Sequence, residues 1–232
     1  MAKANTAVIQ TEGLTKVYGE DRIAVHALRG VDWVVEPGEF TAVVGPSGSG
    51  KTTLLNVVSG LDTPTSGNVW LKGNPLSGMT GRALSDFRRD HIGFVFQAYN
   101  LIPVLTAAEN VEYILLLQGV PAEERQQRVH ELLTQVGLEG MTDRRPPDLS
   151  GGQQQRVAIA RAMVAKPSLI LADEPTANLD SETGSQLLNM MQALNQETGM
   201  TFVFSTHDRM VMDYARRLVR LHDGQITGDE RK

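Results

Sequence analysis

The chain has 232 residues, a hydrophobic fraction of 41% and a formal net charge of -5 at pH 7. This length fits one domain with room for an inserted subdomain, and the acidic balance disfavours a general nucleic-acid-binding protein, which normally has a basic face. The absence of cysteine excludes disulfides and thiolate chemistry. The N-terminus lacks the apolar core of a signal peptide, and no apolar run approaches the ~20 residues that cross a bilayer. We therefore expect any association with a membrane to depend on a partner protein.

Apolar runs separated by Gly, Pro and Asn turns predict that the chain opens with antiparallel sheet, whose first strand lies at an edge. The predicted strands of this part are residues 8–17, 31–35, 40–44, 68–71 and 92–96. A polar helix is predicted at 80–89, and from residue 107 to residue 163 helical periodicity replaces the strand signal, with helices at 107–118 and 121–136. Strands at 169–172, 201–205 and 217–221 then alternate with helices at 181–197 and 209–215.

A glycine-rich motif, G-x-x-x-x-G-K-T, follows the predicted strand at 40–44 and precedes a helical run at 54–58. Its residues and the threonine after it are Gly45, Pro46, Ser47, Gly48, Ser49, Gly50, Lys51, Thr52 and Thr53. This context predicts a P-loop, in which backbone N–H groups and the helix dipole hold the phosphates of a nucleoside triphosphate. We expect Lys51 to reach the β- and γ-phosphates and the Thr52 hydroxyl to ligate Mg²⁺. The alternative is a Gly/Ser surface turn beside a chance lysine, which the flanking strand and helix disfavour.

The order of elements and the P-loop together predict an α/β protein with a P-loop NTPase core. We expect a single domain of residues 1–232, in which the core comprises residues 1–97 and 165–232. The core would begin with an N-terminal antiparallel β subdomain, and residues 98 to about 164 would form an inserted α-helical subdomain.

Two acids, Asp173 and Glu174, end the apolar strand predicted at 169–172. An acid at the end of a strand suits the Mg²⁺ side of a P-loop NTPase site, and the adjacent glutamate can act on a water molecule. In isolation the same pair could be a solvated turn or a helix N-cap.

A second glycine-containing motif precedes a helix predicted at 154–164, and it consists of Leu149, Ser150, Gly151, Gly152 and Gln153. Two glycines at a helix start offer backbone N–H groups and a positive dipole end to an anion. Because no lysine accompanies them, local physics leaves a weaker phosphate contact and a plain N-cap by Ser150 equally open.

Taken together, the P-loop at 45–52, LSGGQ at 149–153, Asp173 with Glu174, and the Thr206-His207 pair resemble an ABC-type ATPase, the ATP-binding subunit of ABC transporters. The resemblance covers nearly the whole chain in the family's order, and LSGGQ is highly specific for it. It implies a head-to-tail homodimer that holds ATP and Mg²⁺ between the P-loop of one copy and LSGGQ of the other.

The resemblance also implies roles for single residues. It assigns catalysis to Glu174, His207, Lys51 and Gln97, and Mg²⁺ binding to Thr52, Gln97 and Asp173. ATP contacts are implied for those residues, for the P-loop, for Ser150, Gly151, Gly152 and Gln153, and for Tyr18, which lies where the family stacks an aromatic ring on adenine. Without the resemblance, Gln97 could cap a strand, His207 could be structural, and Tyr18 could be a packing residue.

Four segments resemble the branch of the family that contains LolD and MacB: residues 60–67, 93–97, 106–111 and 172–180. One departure is Ala177, where this branch often has glycine, and we expect it to have little effect. The resemblance implies an integral membrane permease subunit with an extracytoplasmic domain, and export or extraction of a lipoprotein, peptide or drug. The chain would then lie on the cytoplasmic face of the membrane, with the helical insertion and residues 98–106 gripping the permease, or residues 98–106 could simply pack the subdomain.

Three alternatives stay open at this stage. An ABC ATPase could drive mechanotransmission across the membrane, as in cell-division-type systems. A soluble, non-transport ABC ATPase would usually have tandem cassettes, a coiled coil or a DNA-binding insertion, which this sequence lacks. A nucleotide-binding module without catalysis is disfavoured by the presence of both Glu174 and His207.

Overall fold

The computed structural model describes residues 7–20 and 23–232. Within these residues the strands are β1 (Ile9–Tyr18), β2 (Val25–Val35), β3 (Phe40–Val44), β4 (Ser66–Leu71), β5 (Asn74–Pro75), β6 (Ile92–Val95), β7 (Leu169–Asp173), β8 (Thr201–Thr206), β9 (Arg217–His222) and β10 (Gln225–Arg231). The α-helices are α1 (Lys51–Val58), α2 (Gly81–His91), α3 (Ala107–Leu117), α4 (Ala122–Gln135), α5 (Gly151–Met163), α6 (Ser181–Thr198) and α7 (Arg209–Tyr214). None of the helices in these two ranges is both long and apolar enough to span a membrane.

The N-terminal strands form an antiparallel sheet with the order β2-β1-β4-β5. The prediction that the first strand lies at an edge is wrong, because Ile9 pairs with Val35 of β2 on one side and with Leu71 of β4 on the other. The mixed composition of β1 has another cause: one face is buried, with Ile9 and Leu14 inaccessible to solvent, while Glu12 is exposed on the other. Alternation of this kind reports a half-buried strand and carries no information about the number of its neighbours.

The second sheet has the order β10-β9-β3-β8-β7-β6, and all of its strands except β10 run parallel. Its central strands β3 and β8 are buried along their whole length, as expected for a parallel sheet covered on both faces. In register, Val44 pairs with Thr206 and Asp173 with Ser205. The loops that follow β3, β7 and β8 therefore leave the sheet at one edge, where α/β sheets bind their ligands.

Helices α3, α4 and α5 pack around an apolar cluster of their own, which includes Val111, Leu115, Val129, Leu133 and Val157. Helix α3 begins in a capping box, in which the Thr106 hydroxyl accepts from the Glu109 backbone N–H and the Glu109 carboxylate accepts from the Thr106 N–H. This block matches the predicted helical insertion in its content. The predicted boundaries at residues 98 and 164 stay a prediction.

A buried arginine joins the two sheets near the C-terminus. The Arg217 guanidinium donates to the Val34 carbonyl oxygen at 2.8 Å and to the Glu39 carboxylate at 2.8 Å. It also forms two hydrogen bonds with Asp229 on β10, at 2.8 and 2.7 Å. The hydrogen bonds with Asp229 and Glu39 raise the pKa of Arg217, although its burial opposes the shift. These bonds connect β2, the start of β3 and the β9–β10 hairpin.

Candidate nucleotide site

The loop between β3 and α1 needs two of its glycines for close backbone approach. A Cβ on Gly45 would lie 2.1 Å from the Leu221 carbonyl oxygen, and a Cβ on Gly50 would lie 2.4 Å from the Ala27 carbonyl oxygen. Gly50 also has a φ of 102°, which side chains rarely adopt. Gly48 differs, because a Cβ there would meet nothing within 4 Å among the described residues. The loop is thus pressed against β2 and β9 on its outer side and is open at Gly48.

Lys51 lies in the first turn of α1 and is 8% exposed. Its Nζ donates to the carbonyl oxygens of Gly45 at 2.8 Å and Pro46 at 3.1 Å. These bonds fold the ammonium back over the loop that precedes it. The positive charge is therefore held directly over the glycine-rich loop.

The side-chain oxygens of Thr52 and Asp173 come together from the ends of different elements. The Thr52 hydroxyl donates to Asp173 Oδ2 at 3.0 Å. No group of three or more His, Cys, Asp or Glu side chains that could hold a metal ion occurs within residues 7–20 and 23–232. A cation here would depend on few protein oxygens together with the phosphates of a nucleotide, which is how Mg²⁺ is usually bound.

Each of the two carboxylate oxygens of Glu174 contacts a neighbouring side chain. Oε1 lies 2.7 Å from His207 Nδ1, and Oε2 accepts from the Thr206 hydroxyl at 3.2 Å. The backbone of Glu174 has a φ of 47°, and its N–H donates to the Ser205 carbonyl oxygen at 2.9 Å. Left-handed backbone at a residue other than glycine is costly and concentrates at functional sites. Here it turns the carboxylate, which is 14% exposed, towards a histidine that is 64% exposed.

Lys51, Thr52, Glu174 and His207 line one cavity of about 800 Å³, and Asp173 adjoins it through its hydrogen bond with Thr52. Of the residues predicted from the sequence, its described lining contains Tyr18, Ser47, Gly48, Gly50, Lys51, Thr52, Thr53, Gln97, Glu174 and His207. The cavity is also lined by six residues that the sequence did not predict: Ala24, Val25, His26, Ala27, Arg29 and Asp223. Only the Asp-Gly turn at 223–224 had any local signal, because the other five are ordinary residues of β2 and of the turn before it, brought in by sheet pairing.

Tyr18 lines this cavity at one end, where β1 and β2 form its wall. Its hydroxyl donates to Asp62 Oδ2 at 2.7 Å, and the Lys16 ammonium lies 4.8 Å from the centre of its ring. Burial and the hydrogen bond to Asp62 raise the pKa of the Tyr18 phenol. The ring is anchored at both its edge and one face, and it is 40% exposed.

The motif at 149–153 lies elsewhere. Helix α5 begins at Gly151, three residues earlier than predicted, and Ser150 is its N-cap in a capping box with Gln153. The capping geometry explains the earlier start, because the box satisfies two backbone N–H groups of the first turn. Within the described part of the chain, none of residues 149–153 is among those that line the cavity.

Comparison with known proteins identifies the family. The ABC transporter profile matches residues 28–177, a stretch that contains the P-loop, the LSGGQ motif and Glu174. The chain belongs to the ABC transporter family. It is therefore a nucleotide-binding ATPase, as predicted from its motifs, and its mixed α/β architecture is that of an ABC cassette.

Named relatives place the cassette more closely. The lipoprotein-releasing system ATP-binding protein LolD of Chromohalobacter salexigens is 44% identical, over 97% of this chain and 95% of that protein. The macrolide export ATP-binding/permease protein MacB of Mannheimia succiniciproducens is 43% identical over 97% of this chain, which matches 35% of MacB. The predicted likeness to LolD and MacB is confirmed.

A solved structure matches nearly all of the cassette. It is a dimeric post-hydrolysis state of the ATP-binding cassette MJ0796, bound to ADP and Pi, and its sequence is 43% identical. The TM-score is 0.89, and the match covers 96% of this chain and 98% of the MJ0796 chain. A protein called MJ0796 also occurs among the sequence relatives, from Methanocaldococcus jannaschii.

Proposed function

We propose that two copies of this cassette bind two molecules of ATP with Mg²⁺ at a shared interface and hydrolyse them to drive a membrane permease. The observation that carries the proposal is the separation of the two phosphate-binding motifs: the P-loop lines the cavity, and residues 149–153 do not. A second copy placed head to tail would supply the N–H groups at the start of its α5 to the γ-phosphate. The dimeric state of MJ0796 bound to ADP and Pi supports this pairing.

The residues around the cavity divide the chemistry among them. Lys51 and the P-loop N–H groups bind the phosphates, while Thr52, Asp173 and Gln97 would hold Mg²⁺. That ion, when bound, supplies Lewis-acid stabilisation of the charge on the phosphate oxygens. Glu174 then orients the attacking water and accepts its proton.

His207 is proposed to hold that water against the γ-phosphate from its exposed position beside Glu174. Closure of the second copy would expel other water from the site, which strengthens the electrostatic contacts in it. Because the γ-phosphate bridges the two copies in this scheme, its loss after hydrolysis allows them to separate. This cycle of closure and opening is the movement that a permease would use.

A groove of about 530 Å³ between the core and the helical insertion is the proposed docking surface for the permease. Its apolar lining includes Leu61, Phe94, Phe96, Tyr113 and Leu117, and the exposed fractions of Leu61 and Leu117 are 47% and 52%. Arg88 lines the same groove together with Asp86 and Arg89; it donates to the Gly60 carbonyl oxygen at 2.7 Å and takes part in none of the ion pairs among the described residues. Apolar walls with an arginine outside any of these ion pairs suit an amphipathic cytoplasmic helix that carries an acidic side chain.

The sequence left two roles open for residues 98–106, docking on the permease and packing in the helical subdomain, and the side chains of this segment differ in exposure. Leu101 packs against the helical cluster, while Val104 is 71% exposed. We propose that Val104 extends the docking surface beyond the groove.

For the transported class we propose export or extraction of a lipoprotein, peptide or drug by a permease with an extracytoplasmic domain. The identities of 44% to LolD and 43% to MacB support this branch. The cassette would then be peripheral on the cytoplasmic face of the cell membrane. Mechanotransmission through a permease is the second candidate, because it needs the same cassette and the same docking groove.

A membrane pull-down, followed by an assay in proteoliposomes, tests both candidate functions, transport and mechanotransmission. The full chain, isolated from membranes of its source cells, should carry one integral membrane protein with few spans and a large extracytoplasmic domain, and Leu117→Asp should release it. In proteoliposomes, ATP-dependent removal of a cargo molecule indicates transport, and ATP turnover without cargo movement indicates mechanotransmission. A chain that carries no membrane protein, or whose ATPase ignores the one it carries, contradicts the proposal.

A further inference from the structure

The segment after β6 is held by side chains from two distant parts of the chain. The Gln97 carbonyl oxygen accepts from Asn178 Nδ2 at 2.8 Å. The next two bonds come from one guanidinium: Arg161 donates to the Tyr99 carbonyl oxygen at 2.8 Å and to the Asn100 carbonyl oxygen at 2.5 Å. Tyr99 and Asn100 have φ angles of 59° and 49°, so two successive residues are in the left-handed region. Such backbone persists only where its surroundings hold it.

Arg161 takes part in no ion pair within residues 7–20 and 23–232, and it is partly buried on the helix α5. Its burial lowers the pKa of the guanidinium. Placing a charge there without a carboxylate is costly, and an apolar side chain of similar length would fill the space with less penalty. What an apolar residue cannot supply is a rigid fork of donors that reaches two successive carbonyl oxygens. Arg161 therefore fixes the position of the segment after β6.

One of the two donors belongs to the helix that, in the proposed dimer, serves the nucleotide of the second copy. Arg161 lies on α5, which begins at the glycine pair, and Asn178 lies in the turn after Glu174. Tyr99 also approaches the start of α5, since a Cβ on Gly151 would lie 3.1 Å from the Tyr99 hydroxyl oxygen. Gln97, in contrast, lines the cavity of its own chain. Residues 97–100 therefore lie between one nucleotide site and the helix that serves the other.

We propose that Arg161 is a positioning residue: it fastens residues 97–100 to α5, so that the placement of Gln97 in one nucleotide site follows the helix that completes the other site. The inference rests on the proposed function, because it uses the role given there to Gln97. Arg161 itself touches neither the P-loop nor the carboxylates of the cavity. Because the P-loop holds the phosphates, the loss of Arg161 should act chiefly on turnover and change the affinity for ATP no more than Gln97→Ala does.

The test is a double-mutant cycle on the full chain, with Arg161→Met and Gln97→Ala alone and combined. Arg161→Met should lower kcat about 10-fold, the factor that a charge-assisted hydrogen bond supplies, with the same affinity for ATP as Gln97→Ala. Arg161→Lys, which keeps the charge and one bond, should recover part of kcat. In the Gln97→Ala background Arg161→Met should have no further effect, because both changes remove the same placement. Arg156→Met is the control, since Arg156 is on the same helix and donates to the Val136 carbonyl oxygen at 2.9 Å, away from residues 97–100.

Four outcomes overturn the inference. An unchanged kcat in Arg161→Met removes the role. A loss of kcat that merely follows the loss of Tm, and that Arg156→Met reproduces at equal Tm, shows a structural effect only. Additive losses in the double variant show that Arg161 does not act through Gln97, while the proposed function stands. Full kcat in Gln97→Ala contradicts the proposed function at this residue and the inference with it.

Discussion

The Glu174 carboxylate and the His207 imidazole are joined by a contact of 2.7 Å between Oε1 and Nδ1. The two residues come from the ends of β7 and β8, neighbouring strands of the parallel sheet. Because Thr206 holds the other oxygen of the same carboxylate, both oxygens of Glu174 are oriented by neighbouring side chains of the same chain. The histidine is the more exposed of the two and can turn towards a nucleotide, whereas the glutamate is restrained.

The first prediction concerns this glutamate. Glu174→Gln keeps the size and most hydrogen bonds of the side chain but removes the base, so ATP hydrolysis should fall by about 10²–10⁴. Affinity for ATP should not change, because the phosphates are held by the P-loop. A phosphate-release assay with parallel nucleotide titration measures both quantities. Undiminished turnover would remove Glu174 from the role, and Glu182→Gln, an acid in the first turn of α6, is the matched control.

Lys51→Ala should abolish measurable nucleotide binding. The substitution removes the positive charge that the Gly45 and Pro46 carbonyls hold over the loop, opposite the site of the β- and γ-phosphates. Titration calorimetry with ATP measures the effect, and the exposed Lys166→Ala should bind as the wild type does. An ATP affinity equal to that of the wild type would contradict the P-loop assignment.

Two substitutions of Tyr18 distinguish stacking of its ring on adenine from a packing role. If its ring stacks on adenine, Tyr18→Ala should raise KM for ATP by about 5- to 100-fold with kcat unchanged, since base–aromatic stacking contributes ~1–3 kcal/mol and binds ground and transition states alike. Tyr18→Phe keeps the ring and loses the bond to Asp62, so its KM should stay near the wild-type value. Equal KM values in all three proteins would show that Tyr18 is a packing residue.

Removal of the buried Arg217 side chain should lower the free energy of unfolding more than removal of an exposed arginine. Arg217→Met leaves Glu39, which is 14% exposed, with only the Thr41 hydroxyl and the exposed Arg231 as partners, and losing the buried partner should cost about 1–3 kcal/mol of unfolding free energy. Arg220→Met is the control, because the Arg220 side chain is 50% exposed and its pair with Glu230 at 3.4 Å contributes less than about 1 kcal/mol. Urea unfolding at pH 7 measures both values. Equal losses in the two variants would contradict the account of Arg217.

The same link predicts a pH dependence. The hydrogen bond from Arg217 lowers the pKa of Asp229, against a smaller opposing effect of burial. Because the folded pKa lies below the unfolded one, this stabilisation is present above about pH 4 and is lost as the pH falls further. Arg217→Met should flatten the fall in stability below pH 4, measured by urea unfolding between pH 3 and pH 7. An unchanged slope in that variant would show that Asp229 does not contribute.

Much of the site could be predicted from the sequence because its parts are local. The P-loop, Asp173 with Glu174, and Thr206 with His207 are each short segments beside an apolar strand, and parallel strands bring their carboxyl ends to one edge. The central place of β1 could not be predicted, because alternation does not reveal how many strands pair with it. Contacts between segments that are distant in the sequence could not be predicted either.

Three such contacts illustrate the limit. The packing of Gly45 on the Leu221 carbonyl depends on how β9 lies beside β3. Asp223 reaches the cavity only because the β9–β10 turn lies beside the P-loop, where the Gly224 N–H donates to the Ser49 carbonyl oxygen at 3.0 Å. The bonds of Arg161 to residues 99 and 100 span 62 and 61 positions of sequence, beyond the range of any local pattern.

The central claim is that residues 149–153 of one copy complete the nucleotide site of another. Sedimentation of Glu174→Gln with Mg²⁺ and ATP tests it most directly, because a chain that binds but does not hydrolyse ATP should stay closed. We expect the monomer mass without ATP, twice that mass with ATP, and no doubling when Ser150→Phe is added, although ATP still binds. A monomer at saturating ATP, or a doubling that Ser150→Phe leaves intact, would contradict the account.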